Sequence, residues 1–266
     1  MSEYVLPHSL PGEEERLALM SSLLDPLHRR QLQARGVGPG WRCLEVGSGN
    51  GSVGAWLAGQ VGPSGRVVAT DIDTSYLDRL AGPNLVVRRL DILRDAIEPA
   101  AYDLVTARAV LHHLVDPERA IRQMIAMLAP GGWLLLIEPD FLPVAVAEPA
   151  ALRAFWQGWL GWAKAAGIDY HIGRTLAPRL AGLGLEAVAA AGETALFNGG
   201  SPWATYWEDS IAELRESLLR SGNVTEAQLG VFAARFTDPG EWSMVATFVA
   251  TWGRKPAAAG AGERGR

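Results

Sequence analysis

Glu45, Gly47, Gly49 and Gly51 stand at alternate positions in WRCLEVGSGNGSVGAWLA, residues 41 to 58. An apolar run breaks into glycines there and resumes with Val53, Trp56 and Leu57 at helical spacing, which predicts strand, tight turn and helix. Such a turn offers bare backbone and the open N–H groups of a helix start to an anionic or polar group. Glu45 adds an acid at the same mouth. Ser52 stands where a Gly-x-Gly-x-x-Gly fingerprint would place its third glycine, and an ordinary glycine turn is the alternative. Asp71 follows Gly51 by twenty residues, the offset at which a carboxylate can hold both hydroxyls of a ribose. Asp71 or Asp73 could instead cap TSYLDRL; we assign the ribose to Asp71 and the cap to Asp73. Asp91 could accept from an adenine amino group with Ile72 and Ile92 on the two faces of the ring, or these residues could be plain core and cap. His112 and His113 lead the candidate proton acceptors, with His8 and His171, and with Glu138, Asp140 and Tyr170 behind them. Only one of the adjacent pair is expected to face a cleft, since neighbouring side chains diverge.

These residues need elements to hold them. Val67–Thr70, NLVVRRL, YDLVTAR and WLLLIEPD read as four more strands, separated by helical stretches such as DPERAIRQMIAML, whose stop is Pro130-Gly131-Gly132. Five alternations predict a parallel sheet covered on both faces, with ligands beyond the carboxyl ends of the strands. Glu45, Gly47, Asp71, Asp91, Ala107, Arg108 and Glu138 all fall at those ends. EAVAAAGET and WSMVATFVATWG add a sixth and a seventh strand. The expected class is α/β, a Rossmann-like, seven-stranded, mostly parallel sheet with helices on both faces, a helical N-terminal lid and an aromatic-rich helical cap. The boundaries are 1–40 for the lid, with two helices meeting at Pro26, and 41–140 for the ligand-binding core. The cap insertion spans 141–172, and 173–252 completes the core with a second helical insertion near 200–236. A low-complexity tail over 253–266 is expected to be disordered.

Bulk properties narrow the function. The 266 residues, 48% hydrophobic and 20% charged, describe an ordinary globular chain. A net charge of −5 disfavours a nucleic-acid partner. Cys43 is the only cysteine, so neither a disulfide framework nor a cysteine metal cluster is possible. No signal-peptide core opens the sequence and no stretch is long enough to span a bilayer, so a cytoplasmic protein is expected.

In order and spacing, LEVGSGNG, VVATDID, RRLDI, YDLVTARAVLHHL and LAPGGWLLLIEPD resemble the cofactor-binding series of the class I S-adenosylmethionine-dependent methyltransferases, particularly the small-molecule, natural-product branch. The resemblance is strong over residues 1–140. It implies S-adenosyl-L-methionine as cofactor, with Gly47, Ser48, Gly49 and Asn50 under the methionine portion and Asp71 on the ribose. Asp91 and Ile92 would face the adenine, and Ala107 and Arg108 the sulfonium. Tyr4 and Arg16 resemble a lid in which Tyr4 closes over the methyl group and Arg16 meets the cofactor's carboxylate; an exposed helix charge is the alternative for Arg16. Metal-dependent relatives place carboxylates and an asparagine after strands four and five. This chain offers Arg108 after strand four, so no metal is expected.

Methyl transfer asks mainly for alignment and exclusion of water. A base matters when a hydroxyl must lose its proton; the candidates are His113, His112 and Tyr4. Trp156, Trp159, Trp203, Trp207, Phe197 and His171 could bind an apolar or aromatic small-molecule acceptor, or the rings could simply pack cap against core. The expected activity is small-molecule methylation in specialised metabolism by a monomer or homodimer. A cyclisation on the same fold and a non-enzymatic cofactor-binding regulator are the alternatives.

Overall fold

The computed structural model describes residues 12–257. Strands β1 (Arg42–Val46), β2 (Arg66–Asp71), β3 (Leu85–Arg89), β4 (Tyr102–Arg108) and β5 (Leu128–Asp140) are mutually parallel. β6 (Glu186–Thr194) lies at the far edge, while β7 (Phe197–Asn198) and β8 (Trp242–Ser243) form a separate two-stranded ribbon. The last strand, β9 (Thr247–Arg254), enters between β5 and β6, antiparallel to both. The sheet order is β3-β2-β1-β4-β5-β9-β6. Strand order reverses between β1 and β4, so a crevice opens beyond their carboxyl ends.

Alternation along the central strands builds two cores. Leu135 and Ile137 of β5 pack with Val53, Leu57 and Val61 of α2 (Ser52–Val61). Leu134 and Leu136 face the opposite side, with Ile121 and Met124 of α3 (Pro117–Met127) and Leu180 of α5 (Leu176–Gly182). Helix α1 (Glu13–Ala34) lies on the α2 side. The cap is made of α4 (Ala150–Ala165), α6 (Pro202–Arg220) and α7 (Glu226–Thr237). Local signals start these helices: Asp116 accepts the Arg119 N–H, and Thr225 forms a capping box with Gln228. Gly158 lets the chain before α7 cross α4, since a Cβ there would lie 2.2 Å from the Asn223 carbonyl oxygen. No helix among the described residues is long and apolar enough to cross a membrane.

Four boundaries differ from the sequence reading. The two helices expected to meet at Pro26 are one helix of 22 residues; proline removes a single N–H, and the buried Leu24, Leu27 and Leu32 hold both halves on the sheet. TSYLDRL is a turn ending in a 3-10 segment, Asp78–Leu80, and Asp73 accepts the Ser75 N–H at 3.0 Å instead of capping a helix. Pro130-Gly131-Gly132 lies inside the start of β5, α3 having ended at Met127. The tail expected to be disordered from Gly253 is a strand through Arg254, and Lys255 continues the order with its N–H on the Gly132 carbonyl and its Nζ on those of Ile125 and Leu128.

Candidate functional site

The glycine turn leaves β1 with Gly47, Gly49 and Gly51 at φ 69°, 54° and 78°, the left-handed region that glycine enters without strain. A Cβ on Gly47 would meet a Val110 methyl at 2.3 Å, and one on Gly51 would meet Leu80 at 2.3 Å. At the end of β2, Asp71 accepts the Gly49 N–H at 2.8 Å, so this acid and the turn share one mouth. Ile72 beside it is 53% exposed, whereas Ile92 is buried. Asp91 accepts the Leu93 N–H at 2.9 Å and lies 3.5 Å from Arg94. Glu45 is buried behind the turn and its Oε2 has no hydrogen-bond partner. Burial pushes this carboxyl up to about 7, against the opposing pull of Arg108 and Ser48.

Helix α1 is bound to this mouth through polar side chains. Asp25 pairs with Arg108 at 2.7 Å and with Arg29 at 2.7 Å, and it accepts the Ser52 hydroxyl at 3.0 Å. Ser21 bridges Arg108 and Asn50. One turn on, His28 is fully buried with Nε2 at 2.8 Å from Thr106 Oγ1. Because that hydroxyl donates to the Leu135 carbonyl, His28 Nε2–H is the donor to it. Burial, then the charges of Arg108 and Arg29, hold His28 well below the ordinary histidine value.

The loop after β4 is organised by one carboxylate. Glu138, fully buried in β5, accepts the N–H groups of Val110 at 2.9 Å and Leu111 at 2.7 Å. Its other oxygen lies 2.7 Å from His112 Nδ1. Ala109 takes φ 56° to make the turn. With Nδ1 donating to Glu138, a neutral His112 keeps its lone pair on Nε2. The His113 ring lies 3.8 Å away; burial, then the charges of His112 and Arg16, hold it well below the ordinary value.

The 3-10 turn Leu111–His113 keeps the neighbouring rings of His112 and His113 on one side. Against the expectation that only one of the adjacent pair would face a cleft, both histidines therefore line a narrow cavity of about 60 Å³. Its aromatic walls come from Phe141, Trp159, Tyr170, Tyr206, Trp207 and Phe248, while Arg16 and Met20 of α1 close one side. Arg16 is buried, its Nε and one terminal nitrogen donating to the two Glu13 oxygens at 2.7 Å, with Glu213 at 3.5 Å from the same Nε.

The structure therefore brings Glu45, Gly47, Ser48, Gly49, Asn50 and Asp71 to one mouth, with Ala107 and Arg108 at the adjoining strand end. Arg16 is not an exposed helix charge: it is buried on the wall of the aromatic cavity. Trp159 and Trp207 line the cavity, whereas Trp156, Phe197, Trp203 and His171 do not. Trp156 is packed behind the wall against Phe155 and Phe232, and Phe197 and Trp203 pack on each other. His171 lies at the end of β5 with Asp140 and Arg174. Tyr4 and His8 lie outside the described residues. The residues that the sequence reading missed are Ser21, Asp25 and His28, polar side chains four and three positions apart. That spacing on the apolar face of α1 was the available signal. Among the described residues, no three His, Cys, Asp or Glu side chains gather as a metal site would require.

The family model described as a methyltransferase domain matches residues 13–190. Methyltransferase str2 of Strobilurus tenacellus is 26% identical over 182 residues, 65% of this chain and 65% of its own length. The ubiquinone/menaquinone biosynthesis C-methyltransferase UbiE of Vibrio vulnificus is 33% identical over 139 residues, 48% of this chain and 54% of its own. The chain thus spans between half and just under two thirds of these curated relatives. Among solved structures, the [4+2]-cyclase SpnF superposes with a TM-score of 0.57 at 17% identity, over 88% of this chain and 81% of that one. Phosphoethanolamine N-methyltransferase 2 of Haemonchus contortus, in complex with phosphomonomethylethanolamine and S-adenosylhomocysteine, gives 0.55 at 15%, over 82% and 49%. At such identities the superpositions speak for the fold alone. The matched residues 13–190 contain the glycine turn, the acids at the ends of β2 and β5 and the histidine loop, and on that match the chain belongs to the class I S-adenosylmethionine-dependent methyltransferases.

Proposed function

We propose that this protein methylates an apolar or aromatic small molecule, with S-adenosylmethionine as donor. The observation that carries the reading is the loop from Arg108 to His113. It starts at the cofactor mouth, where Val110 packs on Gly47, and ends in the aromatic cavity. The residues at the mouth suit this donor. The turn gives a side-chain-free floor, Asp71 gives a carboxylate for ribose hydroxyls, exposed Ile72 gives an apolar face for adenine, and the orphaned Glu45 oxygen gives an acceptor. Asp91 and Ile92 would complete the adenine side.

When bound, S-adenosylmethionine supplies an activated methyl group on a good leaving group. The chain's own work is to bind, orient and keep water out. His112 takes the acceptor's proton at Nε2, and Glu138 fixes the ring by holding Nδ1–H. Burial leaves the His113 imidazole neutral and weakly basic, which favours His112 of the pair. Sites for drug-sized ligands enclose several hundred Å³, so the acceptor enters by displacing a wall of the narrow cavity. Helix α1, which brings Arg16 and Met20, is the wall we assign to that motion. A cytoplasmic setting and a role in specialised metabolism are part of the same proposal, supported by a single, buried cysteine and the apolar cavity.

The test is incubation with methyl-labelled donor and small-molecule extracts. Label should appear in a small molecule together with S-adenosylhomocysteine. Cofactor binding with neither product would sink the proposal, and a cyclised product without methyl gain would replace it with the other chemistry.

A further inference from the structure

We propose that the acceptor carries a neutral carbonyl oxygen, and that the indole N–H groups of Trp159 and Trp207 recognise it. Both residues line the aromatic cavity and are 1% and 4% exposed. Both Nε1 atoms are buried with no hydrogen-bond partner. An indole nitrogen can only donate, and leaving a buried donor unmet costs about 1–3 kcal/mol. Phenylalanine would fill either position without that cost, so the two donors call for an explanation.

Trp162 supplies the contrast. It sits on the same helix as Trp159, outside the cavity, and its Nε1 donates to Ser217 Oγ at 3.0 Å. The unmet donors thus belong to the two tryptophans whose side chains line the cavity. Two hydroxyls of the cavity wall are engaged elsewhere: Ser210 donates to the Tyr206 carbonyl at 2.7 Å, and Tyr206 points to the Met20 sulfur at 3.7 Å. Charge decides between oxygen types. Arg16, the arginine among the described residues of the cavity wall, is already met by Glu13 and Glu213, so a carboxylate would have to compete with two acids already in place. A ketone or quinone oxygen needs only neutral donors, and the rings of Phe141, Tyr170 and Phe248 on the wall suit an aromatic body once the cavity opens. The acceptor class is therefore an aromatic ketone or quinone with a hydroxyl that receives the methyl group.

This inference rests on the proposed function for where the acceptor lies, but its test needs no turnover. The full chain, labelled with ¹⁵N at tryptophan and saturated with S-adenosylhomocysteine, is titrated with 6-hydroxy-1-tetralone and with its carbonyl-free counterpart 5,6,7,8-tetrahydro-2-naphthol. The ketone should bind about tenfold more tightly. It should also shift the indole N–H resonances of Trp159 and Trp207 downfield, while the carbonyl-free compound leaves them in place. Trp159→Phe and Trp207→Phe assign the two resonances and should each reduce the ketone's advantage without weakening the other compound. Equal affinities, unmoved indole resonances in the unaltered protein, or binding of neither compound would overturn the proposal. An active methyltransferase could still fail this test and an inactive one could pass it, so the two readings fall separately.

Discussion

His112 Nδ1 and Glu138 Oε2 lie 2.7 Å apart, and the same carboxylate takes the N–H groups of Val110 and Leu111. One buried carboxyl group therefore sets both the backbone of the loop and the orientation of its histidine. His112→Gln should lower kcat by about 10²–10⁴, the usual range for losing a positioned base. Affinity for S-adenosylmethionine should stay within about twofold, because His112 lies in the cavity and not at the cofactor mouth. Release of S-adenosylhomocysteine and calorimetric titration read the two quantities. An unchanged kcat would show that the acceptor needs no base.

Asp71 carries the corresponding prediction for the donor. Asp71→Ala removes charged hydrogen bonds, so affinity for S-adenosylmethionine should fall about tenfold or more. The Gly49 N–H loses its acceptor as well, so a melting curve of the variant without ligand should accompany the titration. Unaltered affinity would refute the ribose role.

Asp25 and Arg108 make a buried pair whose halves should behave differently from the whole. Asp25→Ala leaves the Arg108 guanidinium, 8% exposed, without its carboxylate, which typically costs about 3–5 kcal/mol. Replacing both, as Asp25→Leu with Arg108→Met, should cost clearly less. Urea unfolding of the two variants decides the matter; equal losses would mean that Arg29 and Ser52, not Arg108, are what Asp25 serves.

Glu45 predicts a pH effect of unusual sign. Its folded value is raised from 4.5 to about 7, so between those limits the folded chain holds a proton that the unfolded chain has lost. Stability then falls as pH rises through that window, by about 3 kcal/mol at most for one group. Glu45→Gln should be more stable than the parent at pH 8, by about 1–3 kcal/mol, with the difference gone below pH 4.5. Urea titrations at both ends of the range test this.

His28 and His113 act in the opposite direction. Both are held well below 6.5 in the folded chain. As pH falls below that value the unfolded chain takes up protons first, and stability declines until the depressed folded values are reached. In a Glu45→Gln background, which removes the opposing carboxyl, His28→Gln should reduce the slope by about 1.4 kcal/mol per pH unit, one proton's share. An unaltered slope would mean that His28 is not buried neutral.

The sheet was legible because its strands are apolar runs broken by glycine and proline. That the acids of the proposed cofactor mouth would gather at one end of the sheet was legible because strand ends are where such sheets bind ligands. The reading failed where tertiary contacts decide. Pro26 looks like a break until the sheet beneath both halves of α1 is known. The choice between His112 and His113 depends on Glu138, an acid 26 residues away from His112 in sequence. Trp156, Trp159 and Trp162 looked like one stripe, yet each step of three residues falls about 60° short of a full turn. The three rings consequently fan out, one into the core, one into the cavity and one onto α6. Phe248 was invisible as a site residue because it arrives from β9, more than a hundred positions after the histidine loop.

The placement of β9 also bears on how the molecule is made. β5 and β6 touch only through it, so during synthesis both must wait with open edges until residues 247–254 have left the ribosome. Phe248 comes with that strand, which means this part of the cavity wall is assembled after the rest of it. A nascent chain can hold the proposed cofactor mouth before it holds the proposed acceptor site, and until β9 inserts, the waiting edges are what a chaperone would have to shield.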